Sequence, residues 1–274
     1  METTLNRTSE LKIENSLRVE TLEELSTNHD NKSDLKKAIV IGGTTGIGKG
    51  IASILLEKGF QVTVTGIEKD FIENNEYVGH KNLKIEYLDC IKDSSSRALN
   101  GIIKKIGGLD LLILSAGIGN LNKDLGYKVE NWANQLNVFS FTEIVDFTYR
   151  FFQKQGFGHL VAISSIAGLI GNGKCPAYHA AKAYQISYME GLRQRAKKDR
   201  RDNKQIYVTD IRPGFVKTAM TKGKKMIWAA SVKKVAKQIF KYIQKKKGYG
   251  YVSKRWLLVA LIIKVVPTWV RVRF

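Results

Sequence analysis

The sequence predicts an α/β protein: a single domain built on a doubly wound, mostly parallel, seven-stranded sheet. Three observations predict it. Short runs dense in aliphatic and β-branched residues recur along the chain, longer stretches of helical spacing separate them, and the first run passes straight into a glycine-rich turn. Strict alternation of strand and helix requires right-handed crossovers, so the strands lie parallel and helices cover both faces. Ligands of such a sheet sit at the carboxyl ends of its strands. With 274 residues the chain is long enough to bury a core of that size.

The strands are expected at KAIVIGG (37–43), QVTVTG (61–66), LKIEYLD (83–89), DLLILSAG (110–117), HLVAISS (159–165), IYVTDIRPG (206–214) and YGYVS (249–253). Between them, helical spacing is expected over 47–58, 93–106, 130–154, 177–200 and 231–247. The domain therefore runs from 37 to 253. Residues 1–36 have some helical spacing, at Leu17, Leu22 and Leu25, but no clear packing partner, which predicts a mobile or loosely docked extension. Residues 254–274 form an apolar and basic tail.

Composition narrows the function. Cys90 and Cys175 are the only cysteines and stand far apart, which argues against a disulfide framework or structural zinc and fits a reducing compartment. The four histidines form no cluster, so no metal centre is expected, and His179 is expected to pack or face solvent. The start of the chain lacks the apolar stretch of a secretory signal, so a cytoplasmic protein is expected. The net charge is +20; residues 1–37 hold eight acids and six bases, whereas 38–274 hold 39 bases against 17 acids. That balance suits anionic partners such as phosphorylated cofactors, acidic lipid headgroups or nucleic acid, or else a soluble, self-repelling surface. Basic runs at 197–201, 222–225 and 244–247 come without a recognition motif or aromatic platform, so no specific nucleic acid is expected.

Two motifs carry chemistry. IGGTTGIGKG places Gly42, Gly46 and Gly48 between strand and helix, where the backbone can turn tightly and approach a pyrophosphate stabilised by the helix N-terminus. A P-loop is excluded, because Lys49 is followed by Gly50 and not by Ser or Thr. In AYHAAKAY, Tyr178 and Lys182 are one helical turn apart and share a face, close enough for the ammonium to act on the phenol. That spacing alone is common on ordinary amphipathic helices, where the ring packs and the amine is solvated.

With these residues in view, the chain from about 37 to 253 resembles a short-chain dehydrogenase/reductase of the single-domain Rossmann type. The family's glycine turn corresponds to 41–48, with Ile41 in place of the usual threonine. Its polar motif after the fourth strand appears as Leu114, Ser115, Ala116 and Gly117; Ile41 and Leu114 suggest an apolar contact where the family uses a polar one. The resemblance implies a catalytic tetrad of Asn137, Ser165, Tyr178 and Lys182, with Ser165 thirteen residues before Tyr178. Taken singly, Ser165 reads equally as a helix cap and Asn137 as a satisfied buried amide. The four together, in that order on the expected elements, favour catalysis.

In that chemistry Tyr178 is the general acid for a carbonyl oxygen that gains charge on hydride transfer, and Ser165 holds that oxygen in line. A free tyrosine titrates near ~10, so work near neutrality asks for a shift of roughly three units, about 4 kcal/mol, from Lys182 and the oxidised nicotinamide. The resemblance further implies that Lys182 grips the nicotinamide ribose and that Asn137 supports a water relay. It implies a cofactor site made by Gly42, Thr44, Thr45, Gly46, Ile47, Gly48, Gly66, Asp89, Cys90, Ala116, Gly117, Tyr178, Lys182, Pro213, Gly214, Val216 and Thr218, with Asp89 meeting the adenine. An acid at the end of the second strand would bind the ribose of NAD, and an arginine the extra phosphate of NADP. Gly66 and Ile67 offer neither, and the missing carboxylate and basic body favour NADP slightly over NAD.

The expected activity is therefore hydride transfer between NAD(P)(H) and a ketone or secondary alcohol. Met220, Met226, Ile227 and Trp228 in the segment after Thr218 point to a lid and an apolar substrate, or else to a flexible basic loop. The alternative is a catalytically silent scaffold on an anionic membrane or nucleic acid. By analogy with the family, a homo-oligomer through 130–154 and 177–200 is expected. The apolar stretch 256–266 would extend about 16 Å, too short for a ~30 Å hydrocarbon core. Trp256 and Trp269 bracket it, and Lys254, Arg255, Arg271 and Arg273 flank it. It suits either a lipid interface or packing on its own core or on a partner subunit.

Overall fold

The computed structural model describes residues 35–67, 80–218, 221, 228–253, 255–267 and 269. Seven strands pair in parallel in the order β3-β2-β1-β4-β5-β6-β7. They are β1 (Lys37–Ile41), β2 (Gln61–Gly66), β3 (Leu83–Tyr87), β4 (Leu111–Leu114), β5 (Phe157–Ile163), β6 (Gln205–Pro213) and β7 (Tyr249–Val252). The helices are α1 (Gly46–Glu57), α2 (Ser95–Ile106), α3 (Tyr127–Asn134), α4 (Phe141–Gln155), α5 (Pro176–Arg201), α6 (Val232–Gln244) and α7 (Arg255–Val265).

Alternate side chains of each strand feed two cores, because successive Cβ atoms point to opposite faces. Ile39, Ile41, Leu112, Leu114 and Leu160 meet Leu99, Ile103, Ile144 and Phe152 from α2 and α4. Ala38, Val40, Val64, Ile113 and Val161 meet Ile51, Leu55, Val235 and Ile239 from α1 and α6 on the other face. Strand order reverses at β1, flanked by β2 and β4, so a crevice opens beyond its carboxyl end. Ile41 and Leu114 are direct partners in the β1–β4 ladder, which supplies the apolar contact expected of them.

The expected helix over 130–154 is not continuous. α3 gives way to a π-helical turn at Gln135–Ser140 before α4 begins. The cause is long-range: both ends of the Asn137 amide are bound to the backbone of Ile118, in the segment after β4. The wide turn accommodates that anchor. The strands expected over 37–43 and 110–117 are shorter, since β1 ends at Ile41 and β4 at Leu114. Residues 1–34, and Met220, Met226 and Ile227 of the expected lid, lie outside the described residues.

Candidate active site

The crevice holds a cavity of about 610 Å³. It is lined by Gly42, Thr45, Gly46 and Ile47 from the glycine turn and by Ser115, Ala116 and Gly117 after β4. Ser165, Tyr178 and Lys182 line it, as do Pro213, Gly214, Val216 and Thr218 after β6. The apolar Leu121, Ile166, Ile170, Phe215 and Ile263 also line it, together with the polar Asn120, Asn172, Lys174 and His179.

The glycine turn is built by close approach. A Cβ on Gly48 would stand 2.1 Å from the Gly42 carbonyl oxygen, so only glycine lets α1 start so near the end of β1. Thr45, at the N-cap of α1, makes no side-chain cap bond, and the first turn carries no acid. Thr45, Gly46 and Ile47 at that N-terminus line the cavity, an arrangement that fits a diphosphate. Thr44, by contrast, is buried. A Cβ on Gly66 would meet Thr44 Oγ1 at 2.3 Å, so this hydroxyl fills the space where an acidic side chain at the end of β2 would start. Gly48, Gly66, Asp89, Cys90 and Asn137 do not line the cavity. Asp89 Oδ1 accepts from the backbone of Ile91 and Lys92, and Cys90 is buried.

Ser165, Tyr178 and Lys182 come together from two elements. Ser165 follows β5, and its oxygen accepts from Ala167 N at 3.1 Å, so it does cap the short 3₁₀ turn Ile166–Leu169. Its proton stays free to donate, and a Ser165 hydrogen bond draws the Tyr178 phenol down while burial pushes it up. Burial is the larger effect, and the phenol lies above its ordinary value. The Lys182 Nζ lies 5.8 Å from the centre of the Tyr178 ring. Burial lowers the Lys182 ammonium to about 8, against an opposing pull from Asp210. Burial is thus the larger effect on both groups.

Lys182 Nζ donates to Ile163 O at 3.1 Å and to Gln185 Oε1 at 2.9 Å. Gln185 Nε2 in turn donates to Asn137 O at 2.8 Å. Sequence reasoning missed Gln185, although its place three residues after Lys182 on one helix face was available as a signal. It also missed the cavity-lining role of His179, whose Nδ1 donates to Ile170 O at 2.7 Å. Among the described residues, no group of His, Cys, Asp and Glu could hold a metal ion, and Cys90 and Cys175 form no disulfide.

A doubly wound parallel sheet with a dinucleotide-shaped turn and a Ser, Tyr and Lys cluster at its crevice defines a nucleotide-dependent oxidoreductase of the Rossmann class. The short chain dehydrogenase family model matches residues 36–226, and the protein belongs to that family. It is 28% identical over 190 residues to the 3-oxoacyl-(acyl-carrier-protein) reductase FabG of Vibrio cholerae, covering 68% of this chain and 76% of that protein. An oxidoreductase of Staphylococcus aureus is 30% identical over 190 residues, covering 68% and 80%. Among solved structures, a short chain dehydrogenase from Burkholderia cenocepacia in complex with NADP superposes with a TM-score of 0.74 at 18% identity, covering 87% of this chain and 97% of that one. ElxO with NADP bound gives 0.69 at 22% identity, covering 78% and 95%.

Proposed function

We propose that this protein transfers a hydride between NADP(H), or less favourably NAD(H), and an apolar ketone or secondary alcohol. The observation that carries the reading is that the uncapped glycine turn and the Ser165, Tyr178 and Lys182 cluster line one cavity, to which Leu121, Ile166, Ile170, Phe215 and Ile263 add apolar surface. A reduced nicotinamide, when bound, supplies the hydride. Tyr178 donates its proton to the carbonyl oxygen, and the Ser165 hydroxyl holds that oxygen in place. Lys182 spends two of its three donors on Ile163 and Gln185, which leaves one for the cofactor ribose or the phenol. Gly66 and Thr44 leave no room for a carboxylate that would repel a 2′-phosphate, and the NADP bound to ElxO and to the Burkholderia protein supports the same preference.

Loss of nicotinamide absorbance against a panel of carbonyls tests this. Tyr178→Phe is expected to lower kcat by roughly 10²- to 10⁴-fold with cofactor binding retained. Equal rates in the variant, or binding without turnover of any carbonyl by the parent, would refute it; the second result favours a scaffold. Two features of the surface fit partners. Trp132 and Phe139, both exposed on the 130–140 segment, suit a second copy of the chain. The exposed apolar side of α7, in a tail rich in Arg and Lys, suits peripheral contact with an anionic membrane from the cytoplasm.

A further inference from the structure

Lys182 is buried apart from its contact with the cavity, and a side-chain amide is one of the two groups that hold its ammonium. Gln185 is 2% exposed and bridges Lys182 Nζ to the Asn137 carbonyl through hydrogen bonds of 2.9 and 2.8 Å. The carbonyl sits in the π-helical turn, and the Asn137 side chain is itself fixed, with Nδ2 donating to Ile118 O and Oδ1 accepting from Ile118 N. The segment after β4, the π turn and α5 are thus linked through one polar chain that ends on the ammonium. Each link has a fixed direction: the Gln185 oxygen only accepts and its nitrogen only donates. Water bridging at this place would reorient freely and pass protons; a primary amide does so only by changing tautomer.

We propose that Gln185 is a positioning residue, a clamp that aims the Lys182 ammonium at the cavity and seals the side of the site facing Asn137. This rests on the reading of Tyr178 and Lys182 given above. Among the described residues, the titratable groups around Lys182 are Asp210 on β6, paired with Arg212 at 2.6 Å, and the neutral Tyr178 phenol on its own helix, with the Cys175 thiol near that phenol. The groups that β5 and the π turn direct at it, Ile163 O and Asn137 O through Gln185, are neutral, so the Gln185 dipole is the nearest adjustable contribution to its charge.

The test follows Lys182 itself, in cofactor-free protein labelled with ¹³Cε-lysine, with Lys182→Met to assign its signal. Gln185→Met keeps the length and removes both bonds; the Lys182 midpoint is expected about one pH unit below that of the parent, since an acceptor of the charged form is lost. Gln185→Glu places a carboxylate on the ammonium and is expected to raise it. With a carbonyl substrate, Gln185→Met is expected to lower kcat about 10-fold while the carbonyl KM stays within about threefold, because the clamp acts on the ammonium and not on substrate binding. An unchanged midpoint in a folded Gln185→Met, or a Gln185→Glu midpoint at or below the parent value, overturns the clamp. Because the titration needs no turnover, absence of activity in the parent would refute the oxidoreductase reading and leave this test standing.

Discussion

His159, buried on β5, gives the clearest case of a single residue whose environment sets a bulk property. Thr209 Oγ1 donates to Lys247 O at 2.6 Å, so its own proton is spent and its oxygen accepts from His159 Nε2–H at 2.8 Å. Burial, with a smaller push from the Lys246 cation, lowers the imidazole from 6.5 to about 3. The native ring therefore stays neutral at pH values where the unfolded chain takes up a proton. The unfolded state binds more protons between about 6.5 and about 3, so this residue withdraws stability as pH falls through that window and contributes nothing further above it. The slope is roughly 1.4 kcal/mol per pH unit. His159→Gln keeps a donor for Thr209 and cannot titrate, so urea unfolding at pH 6.5, 5.5 and 4.5 is expected to show a shallower loss for the variant by about that slope. Parallel losses in the two proteins would show that the ring titrates equally in both states.

Among the elements, the junction of β2 with the glycine turn is crowded at the position where an acid would favour NAD. Sequence reading identified the missing acid at Gly66 but not its cause, which is the Thr44 hydroxyl 2.3 Å from any Cβ placed there. Gly66→Asp alone is therefore expected to clash and weaken both reduced cofactors, by about 10-fold or more. Adding Thr44→Gly clears the space, and the carboxylate can then bind ribose hydroxyls and repel a 2′-phosphate. The double variant is expected to move the NADH to NADPH affinity ratio by at least about 10-fold toward NADH, read by titrating each cofactor; an unmoved ratio would place the discrimination elsewhere. The same contrast explains what the sequence disclosed. Strands were legible because β-branched runs such as those of β1 and β2 are local signals, and Tyr178 and Lys182 because one helical turn fixes their relation. The π turn was not, since its cause lies in contacts from Asn137 to a residue 19 positions away and from Gln185 to one 48 positions away. Periodicity within a window carries no trace of such contacts.

Across the whole molecule, α7 joins the tail to the active site. A Cβ on Gly214 would stand 2.2 Å from the Trp256 ring, and Trp256 meets Phe215 edge-on at 5.3 Å and Trp228 at 6.4 Å. Trp256 and Ala260 are buried and Ile263 lines the cavity, whereas Leu258, Leu261 and Ile262 are 65, 54 and 58% exposed. One side of the helix therefore packs on its own protein, one of the outcomes the sequence left open, and the other presents aliphatic surface. No helix among the described residues is long and apolar enough to cross a membrane. Deleting the tail would remove Trp256 from Gly214 and confound any membrane measurement with damage to the site. Replacing Leu258, Leu261 and Ile262 together by Ser leaves the inner side intact. Flotation with vesicles containing anionic lipid is expected for the parent and lost in the triple variant, at unchanged turnover of a water-soluble carbonyl. Neutral vesicles are expected to bind the parent less, because the basic residues flanking the helix contribute only against anionic headgroups. If flotation is unchanged by the substitutions, α7 is not the lipid contact; if instead light scattering shows that the triple variant loses an oligomer, the exposed side of α7 belongs to a second copy of the chain.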